Sequence, residues 1–249
     1  MYRSVVSLLL WPLGLGMFII GGGLYIALIL ILPPQRLHPL ARLLSWLLLL
    51  SGGQWLRIQG TPPSPAKGPY LYLFNHGSLF DVFIVAAAVR HYVTGVGADK
   101  QFSWPIWGFL IKHYGVIPIK RRHLGKAIRS LEAAEEAIRK GISFILSPEG
   151  TRTLTGTMGP FKKGPFHVAL HTGVTIVPMG LSGAFRAKNK NDWRLTPGVV
   201  TVRFGEPIFE GQYQAFTVVE LRDYVKEKIA KLIQEERGQV REYATCSLP

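Results

Sequence analysis

The chain opens on a long uncharged run. From Ser4 to Gln35 there is no charged residue, and most positions are Leu, Ile, Val, Gly or aromatic. As one helix, Ser4 to Leu32 would extend about 43 Å, more than the roughly 30 Å of bilayer hydrocarbon. Pro12 and the triplet Gly21-Gly22-Gly23 predict a kink or break within it. A second apolar stretch, LLSWLLLLSGGQW at 43–55, follows a turn expected over PPQRLHPLAR at 33–42 and is too short to span. Two arrangements satisfy this pattern: a spanning helix with an interfacial companion, or a re-entrant hairpin held in one leaflet. A cleaved signal peptide fits it poorly, because the apolar run is too long and lacks a small-x-small site before the Pro-Pro pair.

After the turn-rich linker GTPPSPAKGP (60–69), the pattern changes to alternating short runs. Leu71–Phe74 reads as a strand and Leu79–Arg90 as a helix. Ala127, Leu131, Ala134 and Ile138 recur at helical spacing, with Gly141 closing that helix. Ile142–Leu146, VTIVPM (174–179) and VVTVRF (199–204) read as further strands, and GVIPI begins a β-like run at 115. Val218, Leu221, Val225, Ile229 and Leu232 make one apolar face of a final helix. Strands alternating with helices predict an α/β sheet with helices packed on it. The expected units are anchoring helices over 1–58, an α/β domain over 59–215, and an amphipathic helix with a tail over 216–249.

Composition changes this picture in one direction. A chain of 249 residues has room for one α/β domain, and 29 Lys and Arg against 15 Asp and Glu leave a formal charge of +14. Such a surface prefers anionic partners. The 48% hydrophobic content points to anionic membrane lipids rather than nucleic acid, for which no motif is seen. No acidic residue precedes Asp81, whereas Arg36, Arg42, Arg57 and Lys67 follow the first apolar run. By the positive-inside bias the bulk of the chain faces the cytoplasm. The single cysteine, Cys246, excludes an intramolecular disulfide and a multi-cysteine zinc site, and is expected to be a solvated tail residue.

Three stretches carry candidate chemistry. In NHGSLFD (75–81), His76 and Asp81 are five apart, about 140° around an ideal helix, so they can meet only if His76 lies on a loop. Asp81 would then occupy the first helical turn, with Ser78 as N-cap. A carboxylate there fixes the imidazole tautomer and leaves the other ring nitrogen to accept a proton from a hydroxyl. The same residues could simply start a helix. LSPEGTR (146–152) follows a strand, where open α/β sheets bind ligands. There Gly150 admits close backbone approach and Arg152 presents a phosphate-matching fork. GVIPIKRRH (115–123), preceded by DKQFSWPIWG (99–108), offers Lys100, Lys112, Lys120 and Arg121 to an anionic headgroup. Alone, each of the last two reads equally as a polar turn or a solvated charge run. His167 and His171 are four apart, as metal ligands on one helix face would be, with no third ligand nearby.

Taken in order, NHGSLFD, GVIPIKR, SPEGTR and TIVPMG resemble the four blocks of the glycerolipid acyltransferases of the lysophosphatidic acid acyltransferase type. The resemblance covers roughly residues 50 to 210. It implies a mixed, mostly parallel sheet flanked by helices. His76 would be the general base on an acceptor hydroxyl and Asp81 its orienting partner. Arg121 and Lys100 would bind the acceptor phosphate. Glu149, Gly150 and Thr151 would shape the acceptor pocket, Arg152 would add charge, and Pro178 would be structural. The acyl donor would be a thioester, acyl-CoA or acyl carrier protein, with no cofactor or metal. Ser147 and Lys120 depart from the family pattern, which usually has Phe and Asp there. A non-catalytic module that docks on anionic lipid is the alternative from another class.

Overall fold

The computed structural model describes residues 2–120 and 124–246, the side chains of 124, 126, 127 and 235–246 excepted. Arg121, one of the expected phosphate ligands, lies outside the described residues.

The uncharged N-terminus folds as α1 (Tyr2–Ile29), a helix that continues through Pro12 and the glycine triplet instead of breaking there. The glycines serve packing. A Cβ on Gly21 would lie 3.0 Å from Leu44 Cδ2, and one on Gly22 would lie 3.3 Å from Ile106 Cγ2. Small residues at these positions let neighbouring helices close on α1. The expected turn over 33–42 is instead the first half of α2 (Pro34–Ser51), with Pro34 at a position where its missing N–H costs nothing. α2 returns antiparallel along α1, since Gly53 and Ser51 meet Leu10 and Gly14 while Leu44 meets Gly21. Among the described residues, α1 is the one helix long and apolar enough to cross a bilayer, with a mean hydropathy of 2.0. Leu8, Leu9, Leu13, Ile19 and Ile20 are exposed along its outer side.

The remaining elements are β1 (Gln54–Gln59), β2 (Tyr70–Phe74), α3 (Asp81–Ala88), β3 (Val93–Ala98), α4 (Trp107–Tyr114), β4 (Ile117–Ile119), α5 (Leu124–Arg139), β5 (Ser143–Leu146), α6 (Gly164–Thr172), β6 (Thr175–Ser182), α7 (Ala184–Ala187), β7 (Gly198–Phe204), α8 (Glu210–Tyr213) and α9 (Val218–Cys246). Among the described residues, seven strands form one sheet in the order β1-β7-β6-β2-β5-β3-β4. Five run parallel. β7 and β1 are parallel to each other and antiparallel to the rest, joined through the β6–β7 pairing. This is the mixed, mostly parallel sheet that the resemblance implied.

β2 lies at the centre with all five residues buried, as expected of a strand covered on both faces. Tyr70, Tyr72 and Phe74 face a core shared with α2 and α3, whereas Leu71 and Leu73 face a second core shared with α5, α6 and α9. The alternation follows from the two-residue period of a strand. Leu221, Val225 and Ile229 of α9 are fully buried in the second core, each contributing roughly 1.5–3 kcal/mol. The predicted apolar stripe is thus a docking face. Cys246, expected in a solvated tail, is the last residue of α9.

Candidate active site

The site lies beyond the carboxyl ends of β2 and β5, and every tie within it traces to a short polar loop. β2 stops at Phe74, and Asn75 bonds both backbone groups of Leu181: its Nδ2 donates to the carbonyl at 2.9 Å and its Oδ1 accepts the N–H at 2.7 Å. That pair pins the exit of β2 to β6. His76 follows on the loop, and α3 begins at Asp81, shorter than the helix expected over 79–90.

His76 and Asp81 meet. Nδ1 of His76 lies 2.7 Å from Oδ2 of the buried Asp81, and the same oxygen accepts the N–H groups of Gly77 at 2.7 Å and Ser78 at 2.8 Å. A carboxylate can only accept here, so Nδ1 carries the hydrogen and Nε2 of the neutral ring presents its lone pair. Among the described residues Nε2 has no hydrogen-bond partner, and His76 borders a cavity. Ser78 does not cap α3 as expected. Phe80 holds the N-cap position without a side-chain bond, while the Ser78 hydroxyl accepts the Phe80 N–H and donates to the Lys188 carbonyl at 2.8 Å. Asp81 itself gathers the turn, because one carboxylate oxygen accepts the imidazole N–H and two amide N–H groups of the loop that precedes the helix.

The loop after β5 grips the His76 backbone from both sides. Oε1 of Glu149 accepts the His76 N–H at 2.7 Å, and the Thr153 N–H donates to the His76 carbonyl at 2.9 Å. The second Glu149 oxygen accepts the Gly159 N–H at 2.8 Å. Burial pushes the Glu149 carboxyl above its usual range, and the two N–H bonds partly offset this. Glu149 therefore lies behind the pocket wall that it was expected to form, holding the backbone of His76. Gly150 does lie on the wall, with φ +68° and the Lys162 side chain packed over it.

The cavity has a volume of about 1370 Å³ and a lining of two chemical kinds. Its apolar lining includes Leu10, Trp11 and Phe18 of α1, Phe83 of α3, and Trp104 and Trp107 before and in α4. Its polar lining includes Thr151, Arg152, Lys162, Lys163 and Lys190, and among the described residues no Asp or Glu lines the cavity. Lys100 is exposed on the 3-10 turn Asp99–Ser103, off the cavity wall. Lys120 lies 3.4 Å from Asp99, so part of its charge is answered locally. Pro178 lies in β6 opposite Leu73, one residue before the ladder with β7 begins, and away from the wall. His171 pairs with Glu135 at 2.9 Å, and among the described residues no three His, Cys, Asp or Glu side chains converge as metal ligands.

Sequence reasoning assigned no role to Asn75, Lys162, Lys190 or the inner side of α1. The adjacent lysines of FKKG were a visible signal, because paired cations soon after the Glu-Gly-Thr-Arg turn stay within reach of the same loop. Asn75 heads the NHGSLFD block without a role of its own there, and nothing local marked Lys190 or the inner side of α1.

A family model described as Acyltransferase matches residues 56–182. The 1-acyl-sn-glycerol-3-phosphate acyltransferase of Limnanthes douglasii is 33% identical over 82% of this chain and 72% of its own length. That of Salmonella typhimurium is 32% identical over 72% of this chain and 76% of its own. That of Cocos nucifera reaches 36% over 69% of this chain, which spans only 54% of that longer relative. The solved 1-acyl-sn-glycerophosphate acyltransferase of Thermotoga maritima shares the fold, with a TM-score of 0.80 at 22% identity over 94% of this chain and 98% of that one. An Asn-His-x4-Asp loop closed by its own aspartate, a Glu-Gly-Thr-Arg loop clasping the histidine backbone, and these relatives agree: this chain belongs to the acyltransferase family.

Proposed function

We propose that the protein is a membrane-bound O-acyltransferase that esterifies the sn-2 hydroxyl of 1-acyl-sn-glycerol 3-phosphate, giving phosphatidic acid. One observation carries this reading. His76, its imidazole held by Asp81, borders a cavity lined both by apolar side chains and by Arg152, Lys162, Lys163 and Lys190. An acyl chain suits the apolar lining and a phosphate monoester the cations, with the base on the same wall.

In the reaction, Nε2 of His76 takes the hydroxyl proton as the oxygen attacks the thioester carbonyl of acyl-CoA or acyl carrier protein. Asp81 stabilises the imidazolium that forms. When the tetrahedral intermediate collapses, the C–S bond breaks and the imidazolium returns the proton to the leaving thiolate. No acyl-enzyme is formed. Arg152 and Lys162 hold the acceptor phosphate, so that the hydroxyl stays within reach of the base. The apolar outer side of α1 lies in the bilayer, and Arg36, Arg42 and Arg57 near the start of the domain favour the cytoplasmic leaflet.

The test is purified protein in mixed micelles with radiolabelled acyl-CoA or acyl carrier protein and a panel of lysophospholipids, lyso-ornithine lipid and glycerol 3-phosphate included. Lysophosphatidic acid should be the best acceptor, and His76→Ala should lower kcat by about 10²–10⁴. Transfer to no acceptor from either donor would refute the reading. Preference for a lyso-lipid without a phosphate monoester would reassign the lining cations.

A further inference from the structure

An unbroken series of hydrogen bonds and covalent segments joins α1 to the carboxylate that holds His76. Ser7, fully buried on α1, accepts the Leu195 N–H at 2.9 Å and donates to the Arg3 carbonyl at 2.6 Å. One turn on, the Trp11 indole N–H donates to the Trp193 carbonyl at 2.8 Å. Leu195 and Trp193 belong to the segment 188–195, which runs from α7 toward β7. At its other end Lys188, itself buried, folds its ammonium back to the carbonyls of Asn189 and Asp192 at 2.7 and 2.6 Å. The Lys188 carbonyl then accepts the hydroxyl of Ser78, whose N–H donates to Asp81 Oδ2.

A helix that served only to hold the domain at a membrane would have no use for this arrangement. A buried hydroxyl is costly unless it is bonded, and the Arg3 carbonyl one turn back already takes its hydrogen. Its oxygen is left to accept an N–H from a loop 188 positions away. Leu10, Trp11 and Phe18 of the same helix also wall the cavity that His76 borders. The segment it grips presents Trp193 outward, half exposed, beside the apolar side of α1.

We propose that Ser7 and Trp11 are positioning residues: through the segment 188–195 and Ser78 they set the loop on which His76 meets Asp81, so that α1 belongs to the active site as well as to the anchor. This rests on the acyl-transfer reading above. A displacement of about 1 Å in the loop would suffice to slow the chemical step, since misplacement of that size can cost about 10² in rate.

The experiment removes the bilayer. A short-chain lysophosphatidate and a short-chain acyl-CoA, both below their micelle-forming concentrations, are assayed with the full chain well below its melting midpoint. Ser7→Ala should lower kcat about tenfold with KM within about twofold, by the same misplacement argument, and Trp11→Phe should lower kcat by a similar factor and also raise KM, since Trp11 lines the cavity. Ser7→Thr, which keeps the hydroxyl, should recover most of the loss. Ser7→Ala combined with Ser78→Ala should be no slower than Ser78→Ala alone, since both interrupt one path. In parallel, hydrogen exchange read without substrate should quicken at the Gly77 and Ser78 amides in Ser7→Ala. Losses seen only with vesicle-presented lipid, with bilayer-free kcat intact, would make α1 an anchor alone and overturn the proposal. Unchanged exchange at Gly77 and Ser78 would overturn it whatever the activity. A wild type that forms no ester with this soluble pair, while exchange responds as expected, would fault the acyl-transfer reading and leave the coupling of α1 to the loop supported.

Discussion

The two working parts of the cavity are built in opposite ways. Around His76 the polar groups are held by neighbours: Asp81 Oδ2 accepts three N–H donors, Glu149 two, and Asn75 closes a pair with Leu181. Among the cations that line the cavity, by contrast, the Lys162 ammonium and the Arg152 guanidinium have no hydrogen-bond partner among the described residues. The difference follows from what each part must do. Proton transfer depends steeply on distance and alignment, so its groups must be fixed before substrate arrives. Attraction of a phosphate falls slowly with distance, so mobile ammonium and guanidinium groups suffice and keep their charge unspent until the ligand comes.

Substitutions should separate the two by kind as well as by size. The largest effect is expected for Asp81→Asn. The amide oxygen can still accept N–H groups, but the charge that stabilises imidazolium is gone, and kcat should fall by about 10³ with KM little changed. Equal loss in KM would mean that Asp81 helps to bind the acceptor. Next comes Glu149→Gln, which keeps size but sets an NH2 against one of two N–H donors. A drop in kcat of about tenfold is expected, again with KM held, because the residue acts through the His76 backbone. Among the lining cations, Arg152→Met or Lys162→Met should instead raise KM for lysophosphatidic acid about tenfold and move kcat less. Half a molar salt should weaken wild-type binding in the same direction. A kcat-only effect there would erase the contrast. The smallest effect is expected for His171→Ala or added chelator, with activity within about twofold, since His171 ends on Glu135.

Some of this was legible before any coordinates. β2, β5, β6 and β7 announce themselves as apolar runs, and the helix that became α9 shows its buried stripe. The pairing of His76 with Asp81 was legible too, because a helix start bounds how far a residue five positions earlier can be. β1 and β3 were not. QWLRIQ alternates on an edge strand, where one side is half wet. VTGVGA carries Gly95, whose added Cβ would sit 2.6 Å from the Ile145 carbonyl, so a residue that weakens strands in isolation is required by the neighbour. Glu149 was legible as a site residue but its work was not: the donor it serves lies 73 positions earlier. The break expected as one possibility at Pro12 and the glycines does not occur, and for the glycines what packs against them decides their fitness.

The sequence by itself determined the strands and helices with a strong period, the anchor-like N-terminus and the spacing that lets His76 meet Asp81, because these rest on side-chain type and on neighbours within a few residues. The class of chemistry came from the resemblance of four ordered blocks to a known family. Only the tertiary structure decided which cations share a cavity with His76, that Glu149 serves the backbone rather than the wall, and that the first turns of α1 are bonded to the loop beside Ser78. Those contacts join residues 73 to 188 positions apart. No local preference encodes them, because they exist only once the sheet order has brought distant loops to the same edge.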